Sequence, residues 1–124
     1  MSDDITLKIF TPERTFMNKK VHRVVLPYGR VNLTIIKDRA PTSLVLNQGK
    51  MDILDENNGI EASYFIDGSV VDVAEDVCTI STGHIIKTTS ITAEQAKQKC
   101  SNEPQNSKFY AMIAEFLSGN TPDL

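Results

Sequence analysis

A chain of 124 residues has room for one compact domain, and at that length roughly two-thirds of the unfolded chain's surface can be buried. With 40% apolar and 23% charged residues the composition is ordinary for a globular protein, and a formal net charge of -3 without a basic stripe argues against nucleic acid as the main partner. The apolar runs fall short of the roughly 20 residues that a membrane-spanning helix needs, and the acidic start MSDDITLK is unlike a signal or transit peptide, so a cytosolic chain is expected.

Strand patterns dominate as far as residue 88. ITLKIF alternates, with Ile5, Leu7 and Ile9 on one face. VHRVVL, residues 21–26, is rich in β-branched side chains and is expected to stop at Pro27. A short apolar run covers residues 33–36, and KDRAP follows it. There Pro41 fixes φ and biases Ala40 towards extended backbone, so the segment has the makings of a corner. Arg39 beside Asp38 makes a poor anion clamp, because the acid offsets the charge the anion would need. SLVL, residues 43–46, ends at the turn signal NQG. Residues 51–54 and 60–66 flank DENNG, and the Asn58-Gly59 step supplies the positive φ of a hairpin. SVVDV and VCTI flank a second tight hairpin at Ala74-Glu75-Asp76. Many short strands with frequent turns predict an antiparallel β-sandwich or barrel.

Beyond residue 88 the period changes. Thr92 and Gln95 form a capping box, which predicts a helix over about 93–100 with a thin apolar face of Ala93, Ala96 and Cys100. Pro104 interrupts it, and Ser107 is placed to cap a second helix. Phe109, Met112, Ile113, Phe116 and Leu117 form an apolar stripe at helical spacing, with Gly119 as the stop. That stripe can dock on the sandwich and the first helix, or on another subunit. The expected fold is therefore mainly β, a sandwich over 1–88 followed by an α-helical hairpin over 89–124.

Candidate chemistry is sparse. The P-loop, dinucleotide, zinc-protease and nucleophile-elbow motifs are all missing. The acid pairs Asp3-Asp4, Asp55-Glu56 and Glu75-Asp76 fall at the terminus or in turns, where carboxylates are solvated rather than tuned for catalysis. Cys78 and Cys100 form no CxxC pair and are expected to be free thiols. Neither an enzyme active site nor a metal or cofactor site is expected.

The strand motifs, taken in order, resemble the epsilon subunit of rotary ATP synthases, called delta in mitochondria. The family's L-x-I-x-T-P-E is matched by Leu7, Ile9, Thr11, Pro12 and Glu13, and its V-x-x-V-x-L-P by Val21, Val24, Leu26 and Pro27. Its P-x-H-A-P corner is matched by Lys37 to Pro41, with Arg39 in place of the histidine, and its L-x-x-G by Leu46 and Gly49. The later V-x-G-G-F-x-E-V and V-T-I-L block appears as residues 66–73 and 78–80. Family glycines are replaced by Lys19, Tyr28, Val31, Thr34 and Ser69, which marks a divergent member.

The resemblance implies a non-catalytic rotor subunit that grips the gamma subunit, rests on the c-ring and couples proton or sodium ion flow to ATP synthesis. It implies a place on the cytoplasmic face of the membrane, held there only through the complex. The family loop that faces the c-ring corresponds to Tyr28, Arg30 and Asn32. Arg39, Phe109, Met112 and Phe116 are the candidates for gamma or a neighbouring subunit, with alpha and beta reachable through the helices. Arg39 either meets an acidic partner surface or is solvated. Family members that sense ATP use an Arg-Ala step in the first helix. This hairpin has only Lys97, Lys99 and Lys108 as cations, so ATP sensing is expected to be absent and inhibition of hydrolysis weak. The rival reading is a stand-alone β-sandwich module for a peptide or small ligand.

Overall fold

The computed structural model describes residues 3–119; the outermost parts of the two expected units, residues 1–2 and 120–124, lie outside the described residues. Ten strands run in order: β1 (Ile5–Phe10), β2 (Thr15–Val21), β3 (Arg23–Tyr28), β4 (Val31–Ile35), β5 (Thr42–Leu46), β6 (Gly49–Leu54), β7 (Ile60–Ile66), β8 (Ser69–Ala74), β9 (Val77–Thr82) and β10 (Ile85–Lys87). Two helices follow, α1 (Ala93–Asn102) and α2 (Ser107–Leu117), with 3-10 turns at Thr88–Ser90 and Pro104–Asn106. One sheet has the order β2-β1-β9-β8-β5 and the other β10-β7-β6-β3-β4. All pairings are antiparallel except β1 with β9, which is parallel.

Alternation builds the layers. Ile5, Leu7 and Ile9 from β1, with Val71, Val73, Cys78 and Ile80, meet Val24, Leu26, Met51, Ile53, Tyr64 and Ile66 from the facing sheet. Strand β7 is used on both faces. Its Tyr64 and Ile66 enter this core, while Phe65 points the other way and joins Ile91, Ala96, Phe109, Tyr110, Ile113 and Ala114 in a second core under the helices. The hairpin stripe is thus docked on the chain's own sandwich and on α1.

Several local expectations change. Residues 21–26 do not form one strand, because the chain bends at His22 between β2 and β3. Strand β2 carries little alternation in its burial, and its hydrogen-bonded partner is β1 alone. β3 continues through Pro27, which pairs with Asn32 of β4. On its other side β6 pairs only as far as Val25, so the missing N–H of Pro27 breaks no ladder bond there. Gly49 lies against the freed ring, where an added Cβ would stand 2.6 Å from Pro27 Cβ.

In the DENNG turn the positive φ (65°) belongs to Asn58, and Asp55 Oδ1 accepts from the N–H groups of Asn57 and Gly59. The turn between β8 and β9 is Glu75-Asp76, with φ of 51° and 62°, and Ala74 is a strand residue. The Thr92–Gln95 capping box forms. Ser107, however, is the first residue of α2 and not its cap: Asn106 holds that position, and its amide donates instead to Glu103 Oε1. Gly119 takes φ 80° past the end of α2, and its N–H donates to the Phe116 carbonyl.

Candidate partner interfaces

Three surfaces carry the residues of interest. The first is the tip of the β3–β4 hairpin. Tyr28 pairs with Val31 across a two-residue turn, and the positive φ of 64° falls on Gly29, the first central position, as a type II′ turn requires. Tyr28, Arg30 and Asn32 are all exposed, and the turn brings them together. Val31, 63% exposed, adds an apolar side chain beside Tyr28, 44% exposed. Sequence reasoning passed over Val31, although its place in a hairpin beside an aromatic residue was the available signal.

The second surface is the outward face of the first sheet. Cross-strand register aligns Phe10, Ser81, Val70 and Val45 in one uncharged row. Val45 is 74% exposed and lies on β5, a strand at the sheet edge. In the next row Ser43 donates to Asp72 Oδ1. The exposed apolar side chains of this row, Phe10, Val70 and Val45, give the face an apolar strip suited to contact with another surface. The corner holding Arg39 leads directly into β5. Asp38 has φ 65°, and its N–H donates to Asp76 Oδ1 at 2.7 Å.

The third surface is α2. Phe109 is 1% exposed, and its ring stacks on His84 at 5.3 Å between centroids. In this arrangement it belongs to the internal core and offers no area to a partner. Met112 and Phe116 are half-buried, with Phe116 edge-on to Phe65 at 5.4 Å and Lys50 Nζ over its ring at 5.3 Å. The structure therefore separates residues that the sequence grouped together: Arg39 lies on the sandwich, while the helical aromatics pack inward.

Among the described residues no group of three or more His, Cys, Asp or Glu is arranged to hold a metal ion. Asp55 and Asp76 spend their carboxylates on turn N–H groups. Burial pushes the Cys78 thiol up to about 12, and Cys78 and Cys100 are both free. Burial also raises Tyr64 and, with Glu103 nearby, Tyr110. The Asn106 hydrogen bond, then the Lys99 charge, hold Glu103 below the usual carboxylate range. A concavity of about 510 Å³ lies between α1 and the second sheet, lined by Ile86, Ile91, Gln95, Lys99, Glu103 and Tyr110 among others. It is open to solvent, and Ser90, Gln98 and Asn102 add to its polar lining. No helix among the described residues is long and apolar enough to cross a membrane.

Comparison with known proteins bears on these surfaces. Residues 4–88 match the family described as ATP synthase, Delta/Epsilon chain, beta-sandwich domain. The ATP synthase epsilon chain of Rhizobium johnstonii is 25% identical over 80 residues, covering 64% of this chain and 58% of that relative's length. That of Pelagibacter ubique is 24% identical over 109 residues, covering 87% and 82%. Among solved structures, a chain of the Euglena gracilis mitochondrial ATP synthase (OSCP/F1/c-ring) superposes with a TM-score of 0.71 at 16% identity, over 97% of this chain and 82% of that one. A chain from the central stalk and c-ring of the Tetrahymena thermophila enzyme gives 0.58 at 14% identity, over 88% and 95%. At those identities the structural likeness shows a shared fold.

Proposed function

Because this chain belongs to the ATP synthase delta/epsilon chain family through its β-sandwich domain, we propose that it is a non-catalytic subunit of the central stalk of a rotary ATP synthase. The observation that carries the reading is the family match across the sandwich, residues 4–88. Such a subunit transmits torque, which calls for a stiff body and broad interfaces rather than a reactive site. A two-layer sheet with a close-packed core is stiff because its interior resists compression. The exposed hairpin tip, with Tyr28, Arg30, Val31 and Asn32, is the surface for the c-ring. The sheet face around Val45 and Val70, with the Arg39 corner at the start of the same edge strand, is the surface for gamma. The chain would then lie on the cytoplasmic side of the membrane, held there through the complex.

The helical hairpin is a weak regulator in this reading. Its aromatic stripe is committed to Phe65 and α1, so contacts from Met112 or Phe116 to gamma, alpha or beta first require undocking. Co-purification of the tagged chain with gamma and the c-ring tests the main reading. Recovery of both is expected, and a chain that assembles without gamma overturns it. For regulation, ATP hydrolysis by the complex is compared with the full chain and with a chain stopped at Ser90. Near-equal rates are expected, and a large rise on truncation refutes weak inhibition.

A further inference from the structure

Asn-Gly occurs once in the chain, at Asn58-Gly59 in the turn between β6 and β7. The step is reactive by its covalent structure. Glycine has no Cβ to hinder close approach of its backbone nitrogen, and that nitrogen lies next to the residue whose side-chain carbonyl carbon it can attack. Residues 56–60 are all exposed, so water reaches the step.

Two side chains address the reacting atoms. Asp55 Oδ1 accepts from the Gly59 N–H at 2.9 Å, and a second bond, from the Asn57 N–H at 2.8 Å, keeps the carboxylate in place. A base belongs within hydrogen-bond reach of the proton it takes. From the other side Arg23 Nη1 donates to Asn58 Oδ1 at 2.6 Å. That oxygen gains negative charge when its carbon is attacked, and a charged donor aimed at it stabilises the charge. Arg23 opens β3 opposite Leu54, the residue before Asp55, so the strand ladder holds the guanidinium against the turn. Its Nε is buried without an acceptor, so this placement does not serve the arginine's own hydrogen bonding. Nucleophile, base and oxyanion donor thus meet in one turn.

We propose that Asn58 is a site of self-modification, where the turn converts its own side-chain amide into a carboxyl. The Gly59 nitrogen bonds to Asn58 Cγ and gives its proton to Asp55. The Cγ–Nδ2 bond breaks, Asp55 passes the proton to the departing nitrogen, and ammonia leaves. The cyclic imide then takes up a water molecule from solvent, and no oxidant or reductant is involved. Closing the ring turns Asn58 out of its left-handed backbone, φ 65°, so the turn opens locally first, at the low cost usual for an exposed loop tip. Water attack at Cγ restores the ordinary backbone, with a carboxylate facing Arg23 in place of a neutral amide, a stronger acceptor. Water attack at the backbone carbonyl instead routes the chain through the side chain, which lengthens the turn beyond the Leu54–Ile60 pair.

The test incubates the full chain at neutral pH and follows, by peptide mapping and mass spectrometry, the mass gain of amide to carboxyl at position 58. A parallel set is kept in urea, where the turn is lost. Asp55→Asn keeps an acceptor oxygen for the turn but lacks the basic carboxylate, and is expected to slow the native reaction at least about tenfold. Arg23→Gln is expected to slow it several-fold, and Arg23→Lys, which keeps the charge, to recover part of the rate. In urea all variants should react at the rate of the unaltered chain. Melting curves show that each variant is folded during the incubation. Equal or faster native reaction in Asp55→Asn and Arg23→Gln overturns the proposal, because the two residues would then guard the amide by pinning the turn. So does equal slowing in urea, which would make the effect one of local sequence, and so does a native chain that gains nothing at position 58 while the urea sample reacts.

Discussion

Phe109→Ala separates the two cores. Phe109 is 1% exposed and packs in the cluster that holds the helices to Phe65 of β7. Replacing a buried phenylalanine by alanine costs about 3–5 kcal/mol. The lost stacking on His84 and the tilted contact with Tyr110 at 5.4 Å belong to the same sum. Helices of 10 and 11 residues are marginal by themselves in water, so a hairpin that loses this contact also loses helix. The sandwich keeps its own core, which Phe109 does not enter. Hydrogen exchange is the assay. At about 1.4 kcal/mol per tenfold, 3 kcal/mol lowers amide protection across residues 93–117 by at least about 100-fold, while β8 and β9 stay protected. Equal loss in β8 and β9 would refute the two-core reasoning, because the chain would then open as one unit. Unchanged protection in α2 would refute the docking energetics.

Other outcomes follow from single positions. Gly49→Ala drives a methyl to 2.6–2.7 Å from the Pro27 ring, which is expected to cost about 1–3 kcal/mol in a urea titration. Cys78 should resist alkylation in the native chain at pH 8 and react only on unfolding, with half-buried Cys100 modified first, as mass spectrometry can show. Its thiol holds its proton up to about 12 when folded, against 9.0 for the free group. That contribution to stability is full below pH 9 and declines as pH rises from there towards 12. Glu103 is shifted the opposite way, so its contribution is present above its ordinary value of 4.5 and fades as pH falls through the lower folded value. Asn106→Ala should flatten that acid limb, read as helix signal against pH.

Much of the fold could be read directly from the chain. Alternation in ITLKIF marks a strand with one buried face, and the burial pattern of β1 repeats it over Ile5, Leu7 and Ile9; in SVVDV the burial alternates too, but with Ser69 inside and Val70 outside, against their polarity. The capping box at Thr92 is equally local, since both of its hydrogen bonds lie within three residues. Strands β2 and β10 escaped notice for a physical reason. TFMNKKV alternates weakly and is largely exposed, and the three residues of β10 are too few to show a period. Pro27 misled because a proline ends a strand only where its N–H is needed, and the withdrawal of β6 at that point is a long-range event.

The candidate site divides along the same line. Chain-local chemistry determined that Pro41 makes a corner and that residues 109–117 carry an apolar stripe, since each depends on φ preferences or on spacing along one element. Tertiary structure decided where the stripe went, because a helix face is complementary to any apolar surface, and it is Phe65, turned outward from β7, with Ile86 and His84 beside it, that selects the sandwich. It also decided what holds Arg39. Asp38 and Asp76 stand 38 positions apart, and nothing in either local sequence announces a hydrogen bond that exists only once β8 and β9 have folded back against β1.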